Sequence, residues 1–323
     1  MNPYPDQPPE RDRWILARRP ARSPVDPWRP SAFLLEEERA ESGEIVSTVT
    51  IFLTNRECPW RCLMCDLWKH TLTETVPLGA IPAQIDYALG RMAGSDRARP
   101  GQIKLYNAGS FFDPRAIPVA DYPAIAERVR GFERVIVECH PALVNERVLQ
   151  FRALLPGRLE VALGLETAHP DVLAKLNKRM TLDQFRQAAE FLRRHGVGLR
   201  VFVLVKPPFL DEAEALDWAE RSIDFAFDCG ATVVSLIPTR FGNGALEGLA
   251  AQGLFSPPRL ATLESALAYG IRLQRGRVFA DLWDLEKFSS CAVCFPARQQ
   301  RLQQMNLDQT TPQPLNCAVC GGT

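Results

Sequence analysis

Net charge is missing from this sequence: across 323 residues, 38 Lys and Arg offset 38 Asp and Glu, and the formal net charge is zero. No global field draws the chain toward nucleic acid or an anionic membrane, so a polyanionic partner would need a local patch. Long apolar runs are missing too. The most hydrophobic stretch, Val197–Leu210, is interrupted by Arg200 and Lys206, so no segment reads as a membrane span. The start, Met1–Arg13, is polar and rich in proline and lacks a secretory pattern. These absences give the expectation of a cytoplasmic protein with no membrane partner. Histidine is scarce: His70, His140, His169 and His195 are the four, and they form no ligand spacing. No nucleotide-binding glycine fingerprint follows the first strand-like segment, which disfavours a doubly wound sheet.

Cysteine, by contrast, is abundant and clustered. Seven of the nine fall in three tight groups: Cys58/Cys62/Cys65, Cys291/Cys294 and Cys317/Cys320. Grouped thiols in a reducing compartment bind metal more often than they pair as disulfides, and the odd total argues the same way.

Three regions are expected. Residues 1–44 carry eight prolines and arginines at 11, 13, 18, 19, 22 and 29, which reads as a solvated N-terminal arm. Residues 45–285 alternate short apolar runs with amphipathic segments. Strands are expected over 46–53, 103–106, 134–138, 159–165, 199–205 and 232–237, with a further one over 278–282. Helices are expected over 80–93, 119–130, 145–155, 182–195, 211–228 and 258–273. Thr181 and Asp211 carry N-cap signatures and Gly196 a C-terminal stop. Six strands separated by helices imply right-handed crossovers, a parallel sheet and an α/β fold of the partial (β/α)6 barrel type. Residues 286–323 are expected as a C-terminal four-cysteine metal-binding tail.

The strongest motif is Cys58-Pro-Trp-Arg-Cys62-Leu-Met-Cys65, directly after the first core strand. Three thiolates at these spacings can wrap three corners of a cubane, and such clusters usually take four cysteines. A missing fourth ligand leaves one iron open to substrate. The bland alternative is a structural zinc site that borrows a distant cysteine. The loop's position at the carboxyl end of a barrel strand, where active sites lie, disfavours it.

This CxxxCxxC motif resembles the hallmark of the radical S-adenosylmethionine (SAM) superfamily. The resemblance implies a radical SAM barrel with a 4Fe-4S cluster on Cys58, Cys62 and Cys65 and SAM chelated at the open iron. It also implies reductive cleavage of SAM to a 5′-deoxyadenosyl radical, an unidentified substrate, and an electron donor such as flavodoxin or ferredoxin. Met64 stands where the superfamily usually places an aromatic against adenine, and Trp60 and Trp68 are the nearby aromatics. Asn107-Ala-Gly-Ser-Phe-Phe-Asp113 occupies the place of the glycine-rich turn, which assigns Gly109 and Ser110 to SAM. Glu138 and Glu166, at the ends of later strands, are the carboxylates expected to reach it. An ordinary βα turn and ordinary ion pairs are the alternatives.

More narrowly, Gly109-Ser-Phe-Phe-Asp, Gly164-Leu-Glu-Thr, Leu176-Asn-Lys and Leu204-Val-Lys-Pro-Pro-Phe look like the archaeosine synthase radical SAM subunit, within the elongator-catalytic-subunit type. That family modifies a deazaguanine base in transfer RNA, so transfer RNA is the further partner the resemblance suggests. The neutral charge does not support RNA binding. A binding or electron-transfer protein is the third reading, disfavoured because an electron carrier would take four cysteines.

In the tail, Cys291-Ala-Val-Cys294 and Cys317-Ala-Val-Cys320 have the spacing of a zinc ribbon, with an auxiliary 4Fe-4S cluster as competitor. Cys139 and Cys229 read as packing thiols and His140 as a satisfied loop residue. Arg240 and Asn243 follow the sixth strand, where barrel loops touch substrate.

Overall fold

The computed structural model describes residues 3–92 and 101–321. In chain order the elements are α1 (Pro8–Leu16), β1 (Ala32–Arg39), β2 (Ile45–Leu53), α2 (Ala80–Met92), β3 (Gln102–Asn107), α3 (Tyr122–Val129), β4 (Arg134–Cys139), α4 (Glu146–Leu154) and β5 (Arg158–Glu166). There follow α5 (Pro170–Lys175), α6 (Leu182–Arg194), β6 (Gly198–Val205), α7 (Glu212–Asp228), β7 (Val233–Pro238), α8 (Ala245–Ala250), α9 (Leu260–Arg272), β8 (Arg277–Ala280) and α10 (Phe295–Asp308).

Eight strands form one sheet whose spatial order is the chain order, so it is a half-barrel with β1 and β8 at its edges. Every pair from β2 to β8 is parallel, as helical crossovers require. The expected strands and helices are present within a few residues of their expected ends. Thr181 and Asp211 make the expected capping boxes at α6 and α7, and Gly196 sits at φ +64° beyond α6.

Period-two alternation divides each strand between two environments. Ile51, Ile103, Val135, Val161, Val201 and Val234 point toward the helices and join one continuous apolar core. The opposite, concave face carries charge. Arg200 reaches Glu38 (2.6 Å) and Glu160 (2.7 Å), Lys104 reaches Glu38 (2.6 Å), and Arg134 reaches Glu160 (3.0 Å). Burial alone would raise the Glu38 carboxyl, but Arg200 and Lys104 outweigh it and hold it well below its ordinary range.

The segment expected as a solvated arm contributes to the sheet, and the expected boundary at 44/45 falls within a hairpin. Its residues Ala32–Arg39 form β1 and pair antiparallel with β2. The reason is physical: Glu36 and Glu38 look solvated in sequence but meet cationic partners across the concave face. Trp14 and Ile15 of α1 are also buried, against Leu63 of the cysteine loop and Leu246 and Leu249 of α8. The tail likewise differs from a zinc ribbon, because the fourteen-residue helix α10 stands between its two cysteine pairs. Leu302 and Met305 of α10 are fully buried in the main core. Among the described residues, no helix is long and apolar enough to cross a membrane.

Candidate functional site

β2 leads through residues 54–57 into the Cys58–Cys65 loop, and polar side chains of that lead-in and of three other segments hold the loop in place. Asn55 Nδ2 donates to the carbonyls of Arg56 (2.7 Å) and Ala108 (3.2 Å), and its Oδ1 accepts from the Ala108 amide (3.2 Å). Asn177 Nδ2 donates to Arg61 O (2.8 Å). Asn243 Nδ2 donates to Leu63 O (2.8 Å) and Cys65 O (3.3 Å). Glu57, at the loop's root, accepts from Arg19 (2.6 Å), from Arg22, and pairs with Arg61 (3.2 Å). Leu63 is fully buried and anchors the loop's middle, leaving the three cysteines around it partly exposed. Irregular backbone thus gains the partners it lacks in regular structure.

Burial pushes each of the Cys58, Cys62 and Cys65 thiols up to about 12. They would remain protonated without a metal, and a bound cation is what turns such thiols into thiolates. Gly109 packs directly on this loop. A Cβ there would stand 2.8 Å from Cys58 Cβ and 3.3 Å from its sulfur, at a φ of +118° that side chains rarely adopt. The glycine is therefore needed for the close approach of two loops, a different reason from the ligand approach expected from sequence.

The other expected residues fall on the same rim but are variously engaged. The Ser110 hydroxyl is buried and donates to Cys139 Sγ (3.2 Å). Glu166 sits at φ +69° and pairs with Lys178 (2.5 Å) in a space that Gly164 leaves open by having no Cβ. Burial opposes the Lys178 charge, but Glu166 and the nearby thiols outweigh it and raise its pKa. Glu138 faces no such cation directly. Burial pushes its carboxyl up to about 8, against a 3.2 Å hydrogen bond accepted from the Asn107 backbone N–H and the more distant Lys178 charge.

Met64 is partly buried against Val172, Leu176, Leu204 and Leu210. Of the nearby aromatics, Trp68 is buried with Arg19 over its ring, at 4.6 Å, and Trp60 stacks on His140 at 3.8 Å. His140 is a satisfied neutral imidazole, as expected. Burial and the Lys178 charge push it down to about 3, Nδ1 accepts from Ala142 N, and Nε2 donates to Lys178 O.

Two site residues, Asn55 and Glu57, were not singled out from sequence, and Asn177 entered only within the Leu176-Asn-Lys match. Asn55, Asn177 and Glu57 are ordinary polar residues whose role appears only when the loop they hold is in view. Asn243, read as a substrate-loop candidate, holds the cysteine loop, and Arg240 pairs with Asp281. Asn107 is 4% exposed, neither atom of its side-chain amide has a hydrogen-bond partner among the described residues, and its register sets it on the same face of β3 as Ile103 and Leu105. With three soft thiol donors on one loop, the rim suits an iron–sulfur cluster.

The four tail cysteines also converge. Among the described residues they alone bring three or more metal-type ligand atoms within 4.8 Å of one another. Cys291 and Cys317 sulfurs are 4.0 Å apart, and those of Cys294 and Cys320 are 3.6 Å apart.

No family model matches the chain. It is 24% identical over 243 residues to an uncharacterised protein of Methanocaldococcus jannaschii, covering 72% of this chain and 67% of that one. It is 28% identical over 230 residues to archaeosine synthase subunit beta of Methanosarcina acetivorans, covering 68% and 65%. The chain thus spans about two thirds of the length of these relatives. Among solved structures it is similar to the archaeal Elp3 of Methanocaldococcus infernus, with a TM-score of 0.53 and 12% identity over 69% of this chain and 59% of that one. It is also similar to methylornithine synthase, with a TM-score of 0.52 and 14% identity over 71% and 63%.

Proposed function

We propose that this chain, which has the radical SAM fold, is an enzyme that cleaves SAM reductively at a 4Fe-4S cluster held by Cys58, Cys62 and Cys65. The observation that carries the reading is the CxxxCxxC loop itself, fixed at the end of β2 with its three thiols partly exposed and packed on the Gly109 turn. When bound, the cluster supplies the electron that breaks SAM's sulfonium and yields a 5′-deoxyadenosyl radical for hydrogen abstraction from a substrate. That electron would come from a donor such as flavodoxin or ferredoxin.

The chain's own residues orient and enclose. Asn55, Asn177, Asn243 and Glu57 fix the loop. Glu138, with its carboxyl pushed up to about 8 by burial, keeps its proton near neutral pH and presents a donor rather than a second negative charge. The Trp60–His140 stack forms a flat wall beside the loop. The C-terminal quartet would hold a second metal.

The test is anaerobic reconstitution with SAM and a reductant, with 5′-deoxyadenosine as the readout. Replacing Cys58, Cys62 or Cys65 with Ala is expected to abolish the product. Cleavage at the wild-type rate by any one of these variants would overturn the assignment.

A transfer-RNA substrate is a second reading, supported by the likeness to archaeosine synthase subunit beta. The arm arginines do not favour it. Arg11 donates to Ala174 O, Arg18 lies over Trp14, Arg19 and Arg22 hold Glu57, and Arg29 lies over Tyr87. Salt-sensitive transfer-RNA binding by the reconstituted protein is the expected sign of this reading, and its absence at low salt would remove it.

A further inference from the structure

We propose that Cys291, Cys294, Cys317 and Cys320 bind a single tetrahedral zinc ion, and that this ion clasps α10 across the open side of the half-barrel. The first half rests on sulfur spacing. Four thiolates bound at about 2.3 Å to one ion stand about 3.8 Å from one another. The observed separations of 3.6 and 4.0 Å bracket that value, and the whole quartet lies within 4.8 Å. A cubane instead gives each thiolate its own iron, which spreads the sulfurs to about 6 Å apart. Two disulfides would need only two separate pairs, whereas here all four sulfurs share one centre. Cys291, Cys294 and Cys317 are 6%, 8% and 7% exposed, so the site is also enclosed.

The second half rests on what the site is attached to. Cys294 is the N-cap of α10, and α10 packs against β1 at one edge of the sheet and β8 at the other. At β8 it replaces the missing next strand. Val278 N donates to Gln309 Oε1 and Val278 O accepts from Gln309 Nε2, both at 2.8 Å. Ala280 N donates to Asn306 Oδ1 (2.8 Å) and Ala280 O accepts from Asn306 Nδ2 (2.9 Å). At the other edge Arg39 Nη1 donates to Leu307 O (3.1 Å). Two side-chain amides thereby satisfy four backbone groups that an edge strand would otherwise leave open. The stretch that returns from α10 to the second cysteine pair, residues 310–316, has no regular structure of its own, and Arg301 holds it through the Pro312 and Gln313 carbonyls. A metal joining the two pairs would fix both ends of the closing helix.

The experiment uses the full chain and needs neither SAM nor the iron–sulfur cluster, so it stands or falls apart from the catalytic reading. Elemental analysis should find one zinc per chain, retained when Cys58, Cys62 and Cys65 are all changed to Ala. X-ray absorption at the zinc edge should give four sulfur neighbours at about 2.3 Å. Hydrogen exchange should then be compared with and without metal, using chelator-treated protein and zinc re-addition. On metal removal the Val278 and Ala280 amides should exchange at least about tenfold faster, with Val137 and Val161 in the sheet centre unchanged. The N306A/Q309A variant should show the same acceleration while keeping its zinc. Four irons per chain in the triple-cysteine variant, a single iron, or disulfides without metal would each overturn the zinc site. Unchanged exchange at Val278 and Ala280 after metal loss would overturn the clasp.

Discussion

Gly109 and Glu138 each concentrate one physical requirement of the rim. At Gly109 the requirement is space, since a Cβ would meet Cys58 and the φ of +118° is unfavourable for any side chain. Gly109→Val is therefore expected to destabilise the loop by about 1–3 kcal/mol. Iron per chain after reconstitution should fall along with SAM affinity. Normal iron content with weakened SAM binding alone would show that the turn meets only the ligand. At Glu138 the requirement is a proton. Its folded pKa, about 8, lies above the ordinary 4.5, so the folded state binds more protons between those values. That contribution to stability is present at low pH and is lost as pH rises through the window. Glu138→Gln should flatten the fall in denaturant stability between about pH 5 and 8, a difference on the order of a few kcal/mol. Parallel pH profiles for the variant and the wild type would contradict the protonated carboxyl.

The cysteine loop and the N-terminal segment act as one element, although sequence assigns them to different regions. α1 covers Leu63 of the loop, and the two arginines that follow α1 hold Glu57 at the loop's root. Changing both Arg19 and Arg22 to Ala leaves Glu57 with Arg61 as its remaining cation among these three. The expected cost is about 1–3 kcal/mol, because a partly buried carboxylate loses charged hydrogen-bond donors. In the absence of any RNA, iron should leave this variant faster on exposure to chelator. Iron retention at the wild-type rate would return these arginines to the status of a solvated arm.

At the level of the whole molecule, the half-barrel is stabilised by an apolar outer layer and a charged inner one. Arg200 is 2% exposed and sits between Glu38 of β1 and Glu160 of β5. Arg200→Met leaves both carboxylates buried with less compensation, and a loss of about 3–5 kcal/mol is expected from equilibrium denaturation. Changing Glu38, Glu160 and Arg200 together to apolar residues should cost less than the single change, because Lys104 and Arg134 keep Glu36 and Glu41 as partners. A single variant as stable as wild type would mean that water reaches the network.

The sequence by itself determined the local elements and the grouping of the thiols. Val and Ile runs of strand length, the capping pairs at Thr181 and Asp211, and the spacing of the cysteines depend on neighbours a few residues away, so they could be read directly. The crossovers then fixed the parallel order, because a βα unit has one favourable hand. What joins distant segments was decided by the tertiary structure. Glu38 became a buried strand residue because Arg200 and Lys104 lie 162 and 66 positions away in sequence but across one concave face. Asn177 and Asn243 became loop clamps because a loop after β2 meets turns after α5 and β7. The helix between the tail cysteines seals the edge of β8 because its amides arrive at strand spacing. Charge pairing and hydrogen bonding across such separations leave no periodic trace in the chain, and they exist only where the fold brings the partners within reach.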